Sequence, residues 1–168
     1  MHYFILSGAP STGKTTTLNV ICGWLQTRGY IGRDVDPAGR VYIPVTTCPA
    51  PSVGDFSYML HKGNLGVLVH SATDDGYNID ILADLIHNLK PDVVITSCRD
   101  YLDWPRQYLC QKLGLTDDYV LDRKNPQVRE FPLAKITRRK NWNDPYIWYF
   151  STTTNVIENM LMAAPYNL

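Results

Sequence analysis

The segment GAPSTGKTTT, from Gly8 to Thr17, constrains the fold of this chain more than any other part of its sequence. It follows the short apolar run HYFILS and precedes LNVICGWLQTRG, where apolar residues recur at helical spacing. A short apolar strand that turns through glycines into an amphipathic helix is typical of α/β proteins. The sequence therefore predicts a buried strand at residues 2–7 and a helix from about residue 13 to residue 27.

Residues 8–15, called here the glycine-rich loop, match the pattern GxxxxGK[ST] in full. Glycines let backbone N–H groups turn toward phosphate oxygens, and the N-terminus of the next helix adds partial positive charge. Lys14 is placed to bridge β- and γ-phosphates, and Thr15 to put its hydroxyl on Mg²⁺. The alternative is a glycine-rich turn that only starts a helix. The predicted phosphate site consists of Gly8, Ala9, Pro10, Ser11, Thr12, Gly13, Lys14, Thr15 and Thr16.

On these residues the chain resembles the P-loop NTPases, and its length is similar to that of the small P-loop kinases of nucleotides and metabolites. The resemblance is specific over about residues 2–29. It implies a three-layer α/β/α fold with a mainly parallel sheet, ATP and Mg²⁺ as cofactors, and transfer of a γ-phosphate. GTPases are disfavoured because their [NT]KxD motif is missing, and AAA-type motors because no hhhhDE strand end is found.

The remaining pattern predicts one domain over residues 1–168. Residues 31–54 are expected to be mostly loop, with at most one short strand at RVYIPV. An antiparallel hairpin is expected at residues 55–71, where Lys62, Gly63 and Asn64 give a turn signal. Further on, we expect a helix at 78–89, a strand at PDVVITSC, a helix after Pro105, a short strand at DYVLD, an irregular segment at 123–143 and a closing helix at 144–163.

The cysteines and the short apolar runs bear on the compartment. Cys22, Cys48, Cys98 and Cys110 form no CxxC pair, which favours reduced thiols in a cytoplasmic protein. No apolar run approaches the roughly 20 residues of a membrane span, and the N-terminus shows no signal-peptide pattern. The sequence therefore predicts a protein without a membrane partner.

Carboxylates near the predicted strand ends are candidates for binding metal and for accepting a proton. Asp74 and Asp75 follow LGVLVHSAT and are the favoured Mg²⁺ ligands, with Asp100 after VVITSCR as the other candidate. The alternative for the aspartate pair is to cap the helix at 78. By resemblance to small P-loop kinases, Asp34 or Asp36 in GRDVDPAG is the expected general base, although DPAG is also a good turn.

Basic residues give a second set of candidates. Arg99 follows a predicted buried strand and could clamp a phosphate, with Arg106 as a possible addition, or could pair with Asp100 or Asp103. Residues 71–121 hold nine Asp against four Lys or Arg, a net charge of −5. Residues 122–140 hold seven Lys or Arg against two acidic residues, a net charge of +5.

By its position and composition, the basic segment at about 122–143 resembles the lid of nucleotide kinases. Arg138 and Arg139 are then the best candidates for closing over the transferring phosphate. A solvated basic loop is the alternative. Trp104 and Trp142 are the aromatic residues best suited to stack on a nucleobase.

These features predict a phosphotransferase that moves the γ-phosphate of ATP to a nucleoside, a nucleotide or a hydroxyl on a nucleic acid. Phage kinases that phosphorylate hydroxymethylated pyrimidines in DNA are of this general P-loop type. A polymer acceptor would suit the basic segment, where Trp142 and Tyr146 are interleaved. The other function considered is an ATP-binding or ATP-hydrolysing switch that acts through a protein partner.

Overall fold

The computed structural model describes residues 1–35, 41–45, 54–133 and 145–168, with the backbone alone described at 41–45 and 145–151. In that part of the chain, strands and helices alternate in an α/β arrangement with one seven-stranded sheet and four α-helices. The strands are β1 (His2–Ser7), β2 (Ile31–Val35), β3 (Val41–Val45), β4 (Ser57–Lys62), β5 (Leu65–His70), β6 (Val93–Cys98) and β7 (Val128–Pro132). The helices are α1 (Lys14–Thr27), α2 (Gly76–Leu89), α3 (Trp104–Leu113) and α4 (Pro145–Met162).

The described strands lie in the order β3-β2-β4-β5-β6-β1-β7. The four strands β5, β6, β1 and β7 form a parallel block. Strands β4, β2 and β3 extend this block, each antiparallel to its neighbour. The predicted hairpin at 55–71 is confirmed as β4–β5, with a turn at Gly63, whose φ of +58° lies in the left-handed region.

The four predicted helices and the strands at 2–7 and 91–98 are also confirmed. Their apolar residues divide into two clusters on opposite faces of the sheet, because successive strand residues point to opposite sides. Phe4 and Leu6 of β1 pack with residues of α1 and α4, whereas Tyr3 and Ile5 pack with residues of α2 and α3. The pattern of apolar residues was sufficient to predict these elements.

The expectation of loop at residues 31–54 is wrong for Ile31–Val35. This segment forms β2, which pairs with β4 on one side and β3 on the other. Its sequence IGRDV shows no clear alternation, and only Gly32 and Val35 are buried. Hydrogen bonds to two neighbouring strands, the nearby β3 and the more distant β4, make this segment a strand. The single strand predicted near RVYIPV corresponds to β3.

Two expectations near the end of the parallel block are also wrong. DYVLD is not a strand, since Leu121–Arg123 forms a short 3₁₀ turn. Here the Leu121 N–H donates to the Glu130 carboxylate at 2.7 Å, and the Asn125 side chain donates to the Leu121 carbonyl at 2.8 Å. The predicted irregular segment at 123–143 contains β7, which pairs with β1 as a strand at the sheet edge. An edge strand tolerates the charges and the proline of VREFP, which hide it in the sequence.

Among the described residues, no helix is long and apolar enough to cross a membrane. The three described cysteines, Cys22, Cys98 and Cys110, are buried. Cys48 lies outside the described residues.

Candidate functional site

The glycine-rich loop lies at the carboxyl end of β1, between β6 and β7. The Gly8 N–H donates to the Cys98 carbonyl at 3.2 Å, and the Leu133 N–H donates to the Ser7 carbonyl at 2.8 Å. These bonds hold the start of the loop between the ends of its two neighbouring strands. Open α/β sheets bind ligands outside the carboxyl ends of their parallel strands, which is where this loop lies.

The backbone path of the glycine-rich loop requires glycine at two positions. A Cβ at Gly8 would lie 2.9 Å from the Leu133 carbonyl oxygen and 3.0 Å from Thr12 Oγ1. Gly13, which precedes α1, has a φ of +84° in the left-handed region that favours glycine. Steric limits therefore explain why both glycine positions of the GxxxxGK pattern are occupied by glycine in this chain.

Lys14 is folded back into the loop. Its Nζ donates to the carbonyl oxygens of Gly8 at 2.7 Å and Ala9 at 2.9 Å, and the residue is only 7% exposed. Burial lowers the pKa of Lys14 below its usual value, and the negative charge of Asp74 partly offsets that effect. The loop thus holds an ammonium group beside its backbone, and no carboxylate in the described part of the chain forms an ion pair with it.

The N-terminus of α1 has no side-chain cap. Gly13 offers no side chain to cap the helix, and no acidic residue lies in the first turn. The first N–H groups of a helix point outward and carry partial positive charge. Thr15 is half-buried and Thr16 is exposed in this turn. Backbone donors, the Lys14 ammonium and the Thr15 hydroxyl therefore belong to one short segment.

Asp74 and Arg99 join the loop after β5 to the loop after β6. Arg99 Nε lies 2.7 Å from Asp74 Oδ1, with the Arg99 side chain 17% exposed and the Asp74 side chain 57% exposed. Arg99 thus pairs with Asp74, whereas the sequence suggested Asp100 or Asp103 as its partner. Both charges influence the pKa of Lys14, which places this pair within electrostatic reach of the glycine-rich loop.

Asp75 has a structural role at the N-terminus of α2. It accepts hydrogen bonds from the Asn78 backbone N–H at 2.9 Å and the Asn78 side chain at 2.8 Å. These bonds lower the pKa of Asp75 below its usual value. Asp75 therefore caps the helix, which was the alternative interpretation of the aspartate pair. Asp74 remains the better candidate for a metal ligand.

A buried polar network supports the loop that carries Asp74. The Thr73 hydroxyl donates to the Ser97 carbonyl at 2.9 Å, and the Thr96 hydroxyl donates to the His70 carbonyl at 2.8 Å. His70 is 1% exposed, and burial lowers its pKa. The neutral ring donates from Nε2 to the Ala72 carbonyl and accepts from Ser57 Oγ at Nδ1. Sequence reasoning did not select these residues, because their only sign is polar side chains within buried strands.

Arg106 does not join Arg99 as a phosphate clamp. It is 1% exposed and pairs with Glu130 at 2.6 Å and Asp117 at 3.0 Å. It also donates to the Asp118 carbonyl at 2.8 Å. Burial opposes its charge, but the hydrogen bonds to Glu130 raise the pKa of Arg106 above its usual value. Arg106 therefore ties α3 and the segment after it to β7.

The structure does not bring Asp34 next to the glycine-rich loop. Asp34 is exposed on β2, and the strands β4, β5 and β6 lie between β2 and β1. With about 4.8 Å between neighbouring strands, this separation is roughly 19 Å. Asp36, Arg138, Arg139 and Trp142 lie outside the described residues, so their assignments as base, lid and stacking residue stay predictions.

Trp104 lies at the start of α3. Its ring is 57% exposed and stacks on Tyr108, with the ring centroids 5.6 Å apart. One face of the indole is therefore occupied by the protein. The stacking role predicted for this residue stays a prediction.

The oxygen ligands near the loop are few. Among the residues that the structure describes, no group of three or more His, Cys, Asp or Glu could hold a metal ion. Mg²⁺ keeps several waters and is bound by one or two carboxylates together with substrate phosphates, so Thr15 and Asp74 are a donor set that fits it. Comparisons with protein-family models, with curated proteins and with solved structures gave no match to this chain.

Proposed function

We propose that this chain is an ATP- and Mg²⁺-dependent phosphotransferase with a three-layer P-loop fold. The observation that carries the proposal is the glycine-rich loop itself, in which a buried Lys14, without an ion pair among the described residues, meets a helix N-terminus that has no side-chain cap, at the carboxyl edge of the parallel block. Such a combination of donors suits the β- and γ-phosphates of a nucleoside triphosphate.

Each residue near the loop has a distinct part in the proposed reaction. Lys14 and the loop amides bind the phosphates, and Arg99 adds a guanidinium that can neutralise charge on the transferring group. Thr15 and Asp74 would hold Mg²⁺, which supplies further neutralisation of the phosphate oxygens when bound. Asp74 is accessible for this role because its side chain is more than half exposed.

A labelled γ-phosphate transfer assay tests the proposal. The chain is incubated with Mg²⁺ and γ-labelled ATP, together with nucleosides, nucleoside monophosphates, and plain or hydroxymethylated DNA. We expect label on one acceptor, and we expect Lys14→Ala to abolish the transfer. Release of free phosphate alone, and only after a protein partner is added, would instead identify the ATPase switch. Full activity in Lys14→Ala would overturn the assignment of the loop.

A matched pair of variants separates the two neighbouring aspartates. Asp74→Asn should lower the transfer rate about 10²-fold or more if Asp74 holds the metal, which corresponds to about 2.7 kcal/mol. Asp75→Asn should leave the rate nearly unchanged, since asparagine caps a helix as well as aspartate does. Equal effects of the two substitutions would remove Asp74 from the proposed metal site.

Asp34→Asn tests the predicted base. A general base contributes about 10²- to 10⁴-fold to a rate. Because three strands separate β2 from β1, we expect the Asp34→Asn rate to stay close to that of the unmodified chain. A loss of 10²-fold or more with the fold retained would place Asp34 in the reaction.

A further inference from the structure

A cavity of about 490 Å³ adjoins the glycine-rich loop on the side of β7. Its lining includes Ser7, which directly precedes the loop, and Asp100, Tyr101 and Leu102 after β6. The volume falls within the roughly 300–1,000 Å³ of small-molecule sites. The sheet therefore offers a concave surface beside the candidate phosphate site.

Among the described residues that line this cavity, Arg106 is the one cation, and its hydrogen bonds are all made within the protein. Arg106 and Glu130 contribute to the lining, and Arg106 donates from both terminal nitrogens to the Glu130 carboxylate. Its remaining N–H groups have acceptors as well, namely the Asp117 carboxylate, the Asp118 carbonyl and the Cys98 sulfur. A phosphate or carboxylate on a ligand would therefore find no available hydrogen on the Arg106 guanidinium.

Asp100 is the lining carboxylate that has no ion pair or side-chain hydrogen bond among the described residues. Asp100 is exposed, and its charge acts on the pKa of Lys14 in the glycine-rich loop. An ionised carboxylate only accepts hydrogen bonds, so it favours hydroxyl or amino groups and repels anions. Among the described lining residues, the one charge left to a ligand thus favours hydrogen-bond donors and disfavours anions.

The mouth of the cavity is aromatic and apolar. Tyr101 and Tyr119 meet edge to face, with ring centroids 5.8 Å apart, and are 40% and 68% exposed. Leu102 is 69% exposed and has a φ of +74°, which is unfavourable for a bulky side chain. Such strain is found where the surrounding structure enforces it, and functional sites are a frequent case. Exposed rings at a cavity mouth suit a flat ligand ring.

We propose that this cavity is the acceptor subsite and binds an uncharged ligand that combines a planar ring with hydroxyl groups. This inference rests on the proposed phosphotransferase function. Asp100 accepts a hydrogen bond from a ligand hydroxyl, and Tyr101 or Tyr119 contacts the ring. Nucleosides have this chemistry, whereas their monophosphates carry an anion that the described lining residues do not neutralise.

Direct binding measured by isothermal titration calorimetry, without ATP, tests the subsite independently of transfer. The probes are nucleosides and their 5′-monophosphates. We expect one nucleoside to bind more tightly than its monophosphate. Tighter binding of the monophosphate, or no binding of any nucleoside at about 1 mM, the upper end of ordinary KM values, would overturn the subsite.

Two variants test the residues. Asp100→Asn should weaken nucleoside binding about 10-fold or more and reduce the preference over the monophosphate. Tyr119→Ala should weaken binding about 10-fold. The controls Asp103→Asn and Tyr77→Ala alter exposed residues that do not line the cavity and should leave binding unchanged. Unchanged binding in both Asp100→Asn and Tyr119→Ala would also overturn the subsite.

Lys14→Ala distinguishes this inference from the proposed function. The substitution should abolish phosphate transfer and leave nucleoside binding intact, because Lys14 does not line the cavity. Nucleoside binding without transfer to any acceptor would support a nucleoside site in the cavity but reject its role as an acceptor subsite, together with the phosphotransferase proposal. Transfer to an acceptor that does not bind in the cavity would reject the subsite and retain the phosphotransferase.

Discussion

Two arginine ion pairs lie near the carboxyl edge of the same sheet and differ in their environment. Arg106 is buried between Glu130 and Asp117, whereas Arg99 pairs with the exposed Asp74. The first pair joins elements of the fold. The second joins two loops beside the glycine-rich loop and has a partner open to solvent. A buried charge whose hydrogen bonds are all made stabilises the fold. An arginine in an accessible ion pair can instead exchange its carboxylate partner for a ligand.

Removing the buried charge should have the largest effect on stability. Arg106→Met leaves the Glu130 and Asp117 carboxylates without their guanidinium, and breaking one partner of a buried pair costs about 3–5 kcal/mol. Urea unfolding followed by circular dichroism measures this loss. A loss below about 1 kcal/mol would show that this pair is no more structural than the exposed one.

The network beneath Asp74 should make stability depend on pH. Burial keeps the folded pKa of His70 below the unfolded value of 6.5, so the unfolded chain binds the extra proton as pH falls through 6.5. Its stabilising contribution is present above that pH and is lost below it, with a slope of at most about 1.4 kcal/mol per pH unit.

His70→Gln should remove this component of the slope between about pH 6.5 and pH 5. His61→Gln, at an exposed position of β4, is the matched control and should keep the slope of the unmodified chain. Urea unfolding at several pH values measures the slopes. Equal slopes in the unmodified chain and in His70→Gln would mean that His70 does not carry the pH dependence.

Asp75, the residue after Asp74, should affect the stability of the fold through its cap of α2. Asp75→Ala removes the acceptor for the Asn78 N–H at the start of α2, which costs about 1 kcal/mol. Asp75→Asn retains a side chain that can cap the helix, so it should lower the free energy of unfolding by only about a few tenths of a kcal/mol. Thermal unfolding of both variants measures the difference, and equal stability would remove the capping role from Asp75.

Removing the exposed charge should have the smallest effect on stability. Arg99→Met breaks the pair with Asp74, and a partly solvated pair of this kind contributes about 0.2–1 kcal/mol. The same substitution at Arg106 is the matched comparison, measured by the same unfolding experiment. Similar losses at the two positions would contradict the distinction between a structural and an accessible arginine.

The sequence could not separate these two arginines. Both lie in one polar stretch after β6, seven residues apart, and both were candidates for a phosphate clamp. Their difference depends on Glu130, which belongs to β7, a strand that the sequence pattern did not reveal. The same limit applies to β2, whose short and partly charged sequence becomes a strand through its neighbours.

The sequence by itself determined the helices, the strands β1 and β6, the hairpin and the glycine-rich loop, because these depend on local periodicity and on local backbone conformation, such as the positive φ of Gly13. Tertiary structure alone decided which charges meet. It paired Arg99 with Asp74, buried Arg106 and set three strands between Asp34 and the loop. Strand order arises from contacts between residues distant in the chain, and no local pattern in the sequence encodes them.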